Sequence, residues 1–172
     1  MKKTIMKYKT KNILITIVIS FIVIVGLYFY YVLKTNFKDV SNKAPYAQVL
    51  NKQIITVEDA IYIENSTLEL AKEYPNELQN IETIDTSNIK NTVIPKGSIL
   101  EFQKAVQVNR AVSGSKYSFL LGTISLKGTN EKKTILYHWG TFKDLYIEEP
   151  CNYWEYRKAP WQTEIDTKKY FE

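Results

Sequence analysis

From Asn12 to Leu33 the chain carries no charged side chain, and Ile13 to Leu33 is almost wholly Ile, Val, Leu, Phe or Tyr. A helix rises about 1.5 Å per residue, so these 21 residues reach roughly 30 Å, the hydrocarbon thickness of a bilayer. In lipid the backbone must satisfy its own hydrogen bonds, and the β-branched residues that weaken a helix in water are tolerated. The run is therefore expected to cross a membrane as one helix. Ile13, Ile17, Phe21 and Ile24 would face acyl chains, and Tyr28 and Tyr31 the far headgroup layer.

Lys2, Lys3, Lys7, Lys9 and Lys11 precede the run. The positive-inside rule then predicts a cytoplasmic N-terminus and an extracytoplasmic C-terminal part in the cell membrane. A secretory signal has a shorter apolar core of about 7–15 residues and a small-x-small cleavage site. Here the run ends in "YFYYVLKTNF", with neither a small pair nor a lipobox cysteine. An uncleaved signal anchor is the expectation, ahead of a cleaved signal or a buried core helix.

The formal charge of +5 suggests nucleic acid until it is located. From Lys34 onward 18 basic residues face 18 acidic ones, so the excess belongs to the tail. A neutral exported part without a basic stripe argues against nucleic acid as partner. Lys, Asn, Ile and Tyr abound while Ala and Gly are few, as in AT-rich bacterial coding sequence.

The expected layout is a basic cytoplasmic tail over 1–11, an anchor over 12–34, a tether over 35–45 and one β-rich domain over 46–172. Ile54–Val57 and Ala60–Ile63 flank Glu58-Asp59 and read as strand, turn, strand. Ser66–Ile81 is ambiguous. Ala71, Tyr74, Leu78 and Ile81 have helical spacing and Ser66 or Thr67 can cap, but Pro75 would end a helix near Tyr74. "IPKGSI" reads as a type I turn with Pro95 second and Gly97 fourth. Ser98–Val108 then alternates, with Leu100, Phe102, Val106 and Val108 on one face and Glu101, Gln103 and Gln107 on the other. Tyr117–Leu126 is a strand in which Gly122 suggests a bulge or a close backbone approach. Thr134–Trp139 is the third strand of a meander, and Leu145–Ile147 reads as one more. The fold class is mainly β: a membrane helix, then a small antiparallel barrel or bent sheet of SH3 or OB size, with at most one short helix.

The order "FKDVS…Y…VLNKQIITVEDAIYI…IPKGSILEFQKAV…YSFLLGTI" resembles bacterial envelope-tethered proteins, many of them lipoproteins, that carry a "Y-x-x-x-x-G-K" entry and an "lpkGt" turn. The likeness spans Phe37 to Trp139, with Asn51 in place of the expected Gly and a helix in place of the lipid. It implies an envelope location and a small β domain, and it carries over no activity and no site residue.

Candidate chemistry is sparse. His138 is the only histidine and Cys151 the only cysteine. No Gly-rich elbow accompanies the cysteine, so a nucleophilic pair is not expected. One His and one Cys do not make a zinc site. Glu58-Asp59 and Glu148-Glu149 are adjacent, and neighbours on a strand point to opposite faces. No catalytic residue, metal or cofactor is predicted.

Trp139, Trp154 and Trp161 crowd the last fifth of the chain, with Tyr153 and Tyr156 among them. Such rings either close the core of a small domain or form a stacking platform for a glycan or peptide. These five are the candidate ligand residues. The function expected is a membrane-anchored accessory or binding domain acting through an envelope protein or the cell wall. The alternatives are a single-span subunit of an envelope machine and, behind it, an envelope enzyme.

Overall fold

The structure, a computed structural model, describes residues 2–66, 68, 70–81, 91–127, 131–144 and 152–171. Two compact units are distinguished: Met1–Asn36 with Arg110–Gly114, and Phe37–Asn109 with Ser115–Glu172.

The first unit is dominated by helix α1 (Lys2–Val32). Its stretch Ile13–Val32 is 20 residues long, apolar enough to cross a membrane, and none of it is buried by protein. Ile13, Ile17, Phe21, Ile24, Tyr28 and Tyr31 are all between 59 and 73 % exposed. That stretch is apolar on every side and covered on none, which fits a membrane anchor by length and composition.

The second unit is a mixed sheet. Its strands are β1 (Asn36–Asp39), β2 (Gln53–Ile55), β3 (Ala60–Ile63), β4 (Glu77–Asn80), β5 (Asn91–Ile94), β6 (Ile99–Asn109), β7 (Lys116–Ser125), β8 (Lys132–Lys143), β9 (Tyr153–Tyr156) and β10 (Tyr170–Phe171). The spatial order is β1-β6-β7-β8-β4-β3-β5, with β2 also on β6, β9 also on β8, and β10 on β9. The expected meander is present as β6–β7–β8, antiparallel throughout. The sheet does not close, so the barrel alternative is corrected to an open, bent sheet. Closure would need the two ends of the path to meet, and β1 and β5 lie at opposite ends.

Two bulges flank β7 and decide which residues are inside. On β6 the register shifts between Phe102 and Lys104; on β8 it shifts at Trp139, between the partners of Ser118 and Phe119. An extra residue reverses the alternation beyond it. Leu100, Phe102 and Ala105 therefore join the main core, while Val106 and Val108 turn to the opposite face with Phe119, Leu121 and Leu136. The expectation that Val106 and Val108 share a face with Leu100 is overturned by this single inserted residue.

Other expectations are also corrected. β2 and β3 are not a hairpin: β2 pairs with β6, and β3 lies between β4 and β5. Of the ambiguous stretch, the described residues before Pro75 are in no helix; Ala71 N–H reaches Leu68 O at 2.9 Å and Tyr74 N–H reaches Leu70 O at 3.0 Å, and Pro75 cannot extend such turns. Glu77–Asn80, inside that ambiguous stretch, is an inner strand. Asn36–Asp39, expected within the tether, is β1, and Val40 behind it is buried. The Pro95 turn closes one residue later than expected, by Ser98 N–H to Pro95 O at 3.2 Å, so Gly97 at φ +91° is third. A positive φ there is the mark of type II, not type I. Asn51, which replaces the glycine of the resemblance, has φ +57°, a conformation open to asparagine. Leu145–Ile147 lies outside the described residues.

Gly122 supplies the close approach its position suggested. A Cβ there would lie 2.2 Å from Glu101 O and 2.7 Å from Phe102 Cα. Gly122→Ala should therefore force the β6 and β7 backbones apart and cost about 3 kcal/mol. Gly114→Ala, at φ +70° in open space, should cost about 1 kcal/mol. Chemical denaturation of the two variants checks the contrast.

Candidate functional site

The aromatic residues singled out above are placed first by the core. Trp139, Trp154 and Tyr156 are 2, 3 and 2 % exposed. The Tyr156 hydroxyl donates to that of Tyr46 at 2.8 Å, and the Trp139 indole N–H donates to Arg157 O at 3.2 Å. Burial pushes the Tyr156 hydroxyl far above its ordinary titration range. Rings held this way stack on nothing outside, so the platform reading is corrected for these three. The physical reason is size: a small sheet has little else to bury, and large rings fill it. Trp161 is half-buried, 5.1 Å from the Phe102 ring and 5.0 Å from that of Tyr137. Tyr153 is half-buried against Phe171 at 6.4 Å, under the Lys169 ammonium. The five do not form one open face.

His138 lies on the opposite face, 5.2 Å from both the Tyr117 and Phe119 rings and with Nε2 3.4 Å from Thr141 Oγ1. Cys151, Glu148 and Glu149 lie outside the described residues. Glu58 pairs with Lys158, while the Asp59 carboxylate accepts from Lys96 N–H at 2.7 Å; the two acids serve different partners. Among the described residues no cluster of His, Cys, Asp and Glu is suited to a metal ion.

The structure draws attention instead to the second face of the sheet. The turns of 66–76 lie over Val106, Val108, Phe119, Leu121 and Leu136, contributing Leu68, Leu70 and Tyr74. Two clefts border this covering.

The first is a polar notch. One edge of β8 is shared by two strands: β4 runs parallel to it at Leu136 and Tyr137, and β9 antiparallel from Gly140 to Lys143. The gap between them leaves a cavity of about 100 Å³ lined by Glu77, Gln79, Asn80, Tyr137, His138 and Arg157. The Glu77 carboxylate accepts from Gln79 Nε2 at 2.6 Å and from Ser66 Oγ at 3.2 Å. Burial raises its pKa, and those two bonds and the Arg157 guanidinium offset only part of that. The Tyr137 hydroxyl donates to Asn80 Oδ1 at 3.3 Å. At about 30 Å³ per water the notch holds roughly three, room for an ion or one polar head group.

The second is an apolar groove of about 320 Å³ lined by Phe37, Leu70, Lys72, Glu73, Lys104, Val106 and Leu121. Its volume reaches the lower end of the range of ligand pockets, roughly 300–1,000 Å³.

Neither cleft was visible in the sequence. The notch depends on β4 pairing with a strand 59 residues later, and the groove on the β6 bulge that turns Val106 outward. The one available signal was the largely polar run Asn76-Glu77-Leu78-Gln79-Asn80 just after Pro75.

Compared with known proteins, the chain matches no family profile, no curated protein and no solved structure.

Glu77 gives a pH prediction. Its folded pKa is raised, so the folded state favours the protonated carboxyl. This contribution to stability is full below the ordinary carboxyl range and is lost as pH rises through the raised value. Glu77→Gln, which keeps an acceptor for Gln79, should flatten the decline between about pH 4 and pH 7 and raise the melting temperature at neutral pH. Thermal unfolding across that range checks it.

Proposed function

We propose that this chain is a membrane-anchored accessory or binding domain displayed outside the cytoplasm, acting through contacts with an envelope protein or the cell wall. The observation that carries the reading is the apolar, uncovered stretch Ile13–Val32 joined directly to a unit with its own core. The five lysines before it support a cytoplasmic N-terminus. The resemblance to envelope-tethered proteins points the same way.

The polar notch is the contact this reading offers to a partner. It combines an acceptor at Glu77, donors at Arg157 and amides at Gln79 and Asn80, a set that suits one polar side chain or a peptide group. Its small volume and its pairing of Glu77 with neutral hydrogen-bond donors favour recognition over turnover.

The test is fractionation with protease mapping. The full chain should stay in the membrane pellet through alkaline carbonate, and protease added to spheroplasts should remove a C-terminal tag. Deletion of Ile13–Leu33 should move the protein to the soluble pool. A soluble full-length chain, or a protected C-terminal tag, would overturn the assignment.

A further inference from the structure

We infer that the apolar groove beside β1 seats an anionic phospholipid of the bilayer that holds the helix; this rests on the anchored reading above.

The argument begins with contour length. Only Lys34, Thr35 and Asn36 separate Leu33 from Phe37. Four steps of fully extended chain cover at most about 14 Å, so Phe37 stays within that distance of the helix end. With the helix in a bilayer, Phe37 is within reach of the headgroup layer. It is also a large apolar ring left 48 % exposed, at the mouth of a groove floored by Leu70, Val106 and Leu121. At about 30 Å³ per water the groove takes roughly ten waters, too many for a packing defect.

Charge selects the lipid. Lys38 and Lys43 lie on the stretch that opens the unit, and Lys72 and Lys104 line the groove; all four are exposed. Against them stand Asp39, 4.0 Å from Lys104 in an exposed pair, and Glu73. Four cations against two anions next to apolar side chains is the composition of an interfacial lipid site: the lysines attract phosphate, and the ring and branched chains enter the acyl boundary. The rest of the sheet unit shows no such excess, since the chain from Lys34 onward is neutral.

The test uses the full chain in nanodiscs of phosphatidylcholine alone or mixed with phosphatidylglycerol. Phe37→Trp adds an indole at an exposed ring position, so folding should be kept. Trp139 and Trp154 are buried, and the unsubstituted chain supplies the emission background. In discs with phosphatidylglycerol the added emission should be blue-shifted and lose most of its intensity when the lipids are brominated on the upper acyl chain. The double variant Lys72→Glu, Lys104→Glu should restore it. An added emission that stays red and unquenched in both lipids, from protein that co-floats with the discs, overturns the lipid seat and leaves the anchor standing. Protein that does not co-float overturns both.

Discussion

The backbone of β6 at Glu101 and Phe102 presses against Gly122 so closely that no side chain fits between them. This contact sits beside the β6 bulge, and the bulge turns what a plain alternation would make a one-sided strand into a two-sided one. Before it, β6 serves the main core through Leu100 and Phe102. After it, Val106 and Val108 build a second apolar face. The covering turns of 66–76, the groove at their margin and the position of Phe37 all depend on that reversal. The matching bulge at Trp139 on β8 does the same on the other side of β7, bending the sheet and bringing both Trp139 and Phe142 into the main core.

What the chain disclosed in advance follows from the range of the interactions involved. The apolar helix was legible because length and polarity are local properties. The β6–β7–β8 meander was legible because its strands are consecutive and alternate. The close approach at Gly122 was legible because only glycine tolerates it. The faces beyond the bulges were not, since one inserted residue leaves no compositional trace. β4 was hidden among residues with helical spacing, and its partner β8 lies far along the chain. The bond between Tyr46 and Tyr156 links residues 110 apart and had no local sign. Where pairing is non-local, propensity gives the segment and leaves its neighbour undetermined.

The aromatic C-terminal region shows the same division. Crowded Trp and Tyr residues suggested either a core or a binding platform, and burial decided for the core at Trp139, Trp154 and Tyr156. Two of the polar tips are tied off: the Tyr156 hydroxyl to Tyr46 and the Trp139 indole to the Arg157 carbonyl. That second bond also fixes the backbone of Arg157 beside the notch. Core and cleft thus share a strand end, and a change at Trp139 would be felt at the notch without touching it.

The shortness of the segment between helix and sheet has one more consequence. A compact unit of this size is roughly 40 Å across, and the connecting residues add at most about 14 Å. With the helix seated in a bilayer, a unit of that size would rise no more than about 54 Å above the helix end. Whatever it engages must come down to that height. Under the proposed anchoring, the unit would reach the shallow zone next to the lipid and not the outer layers of a thick wall.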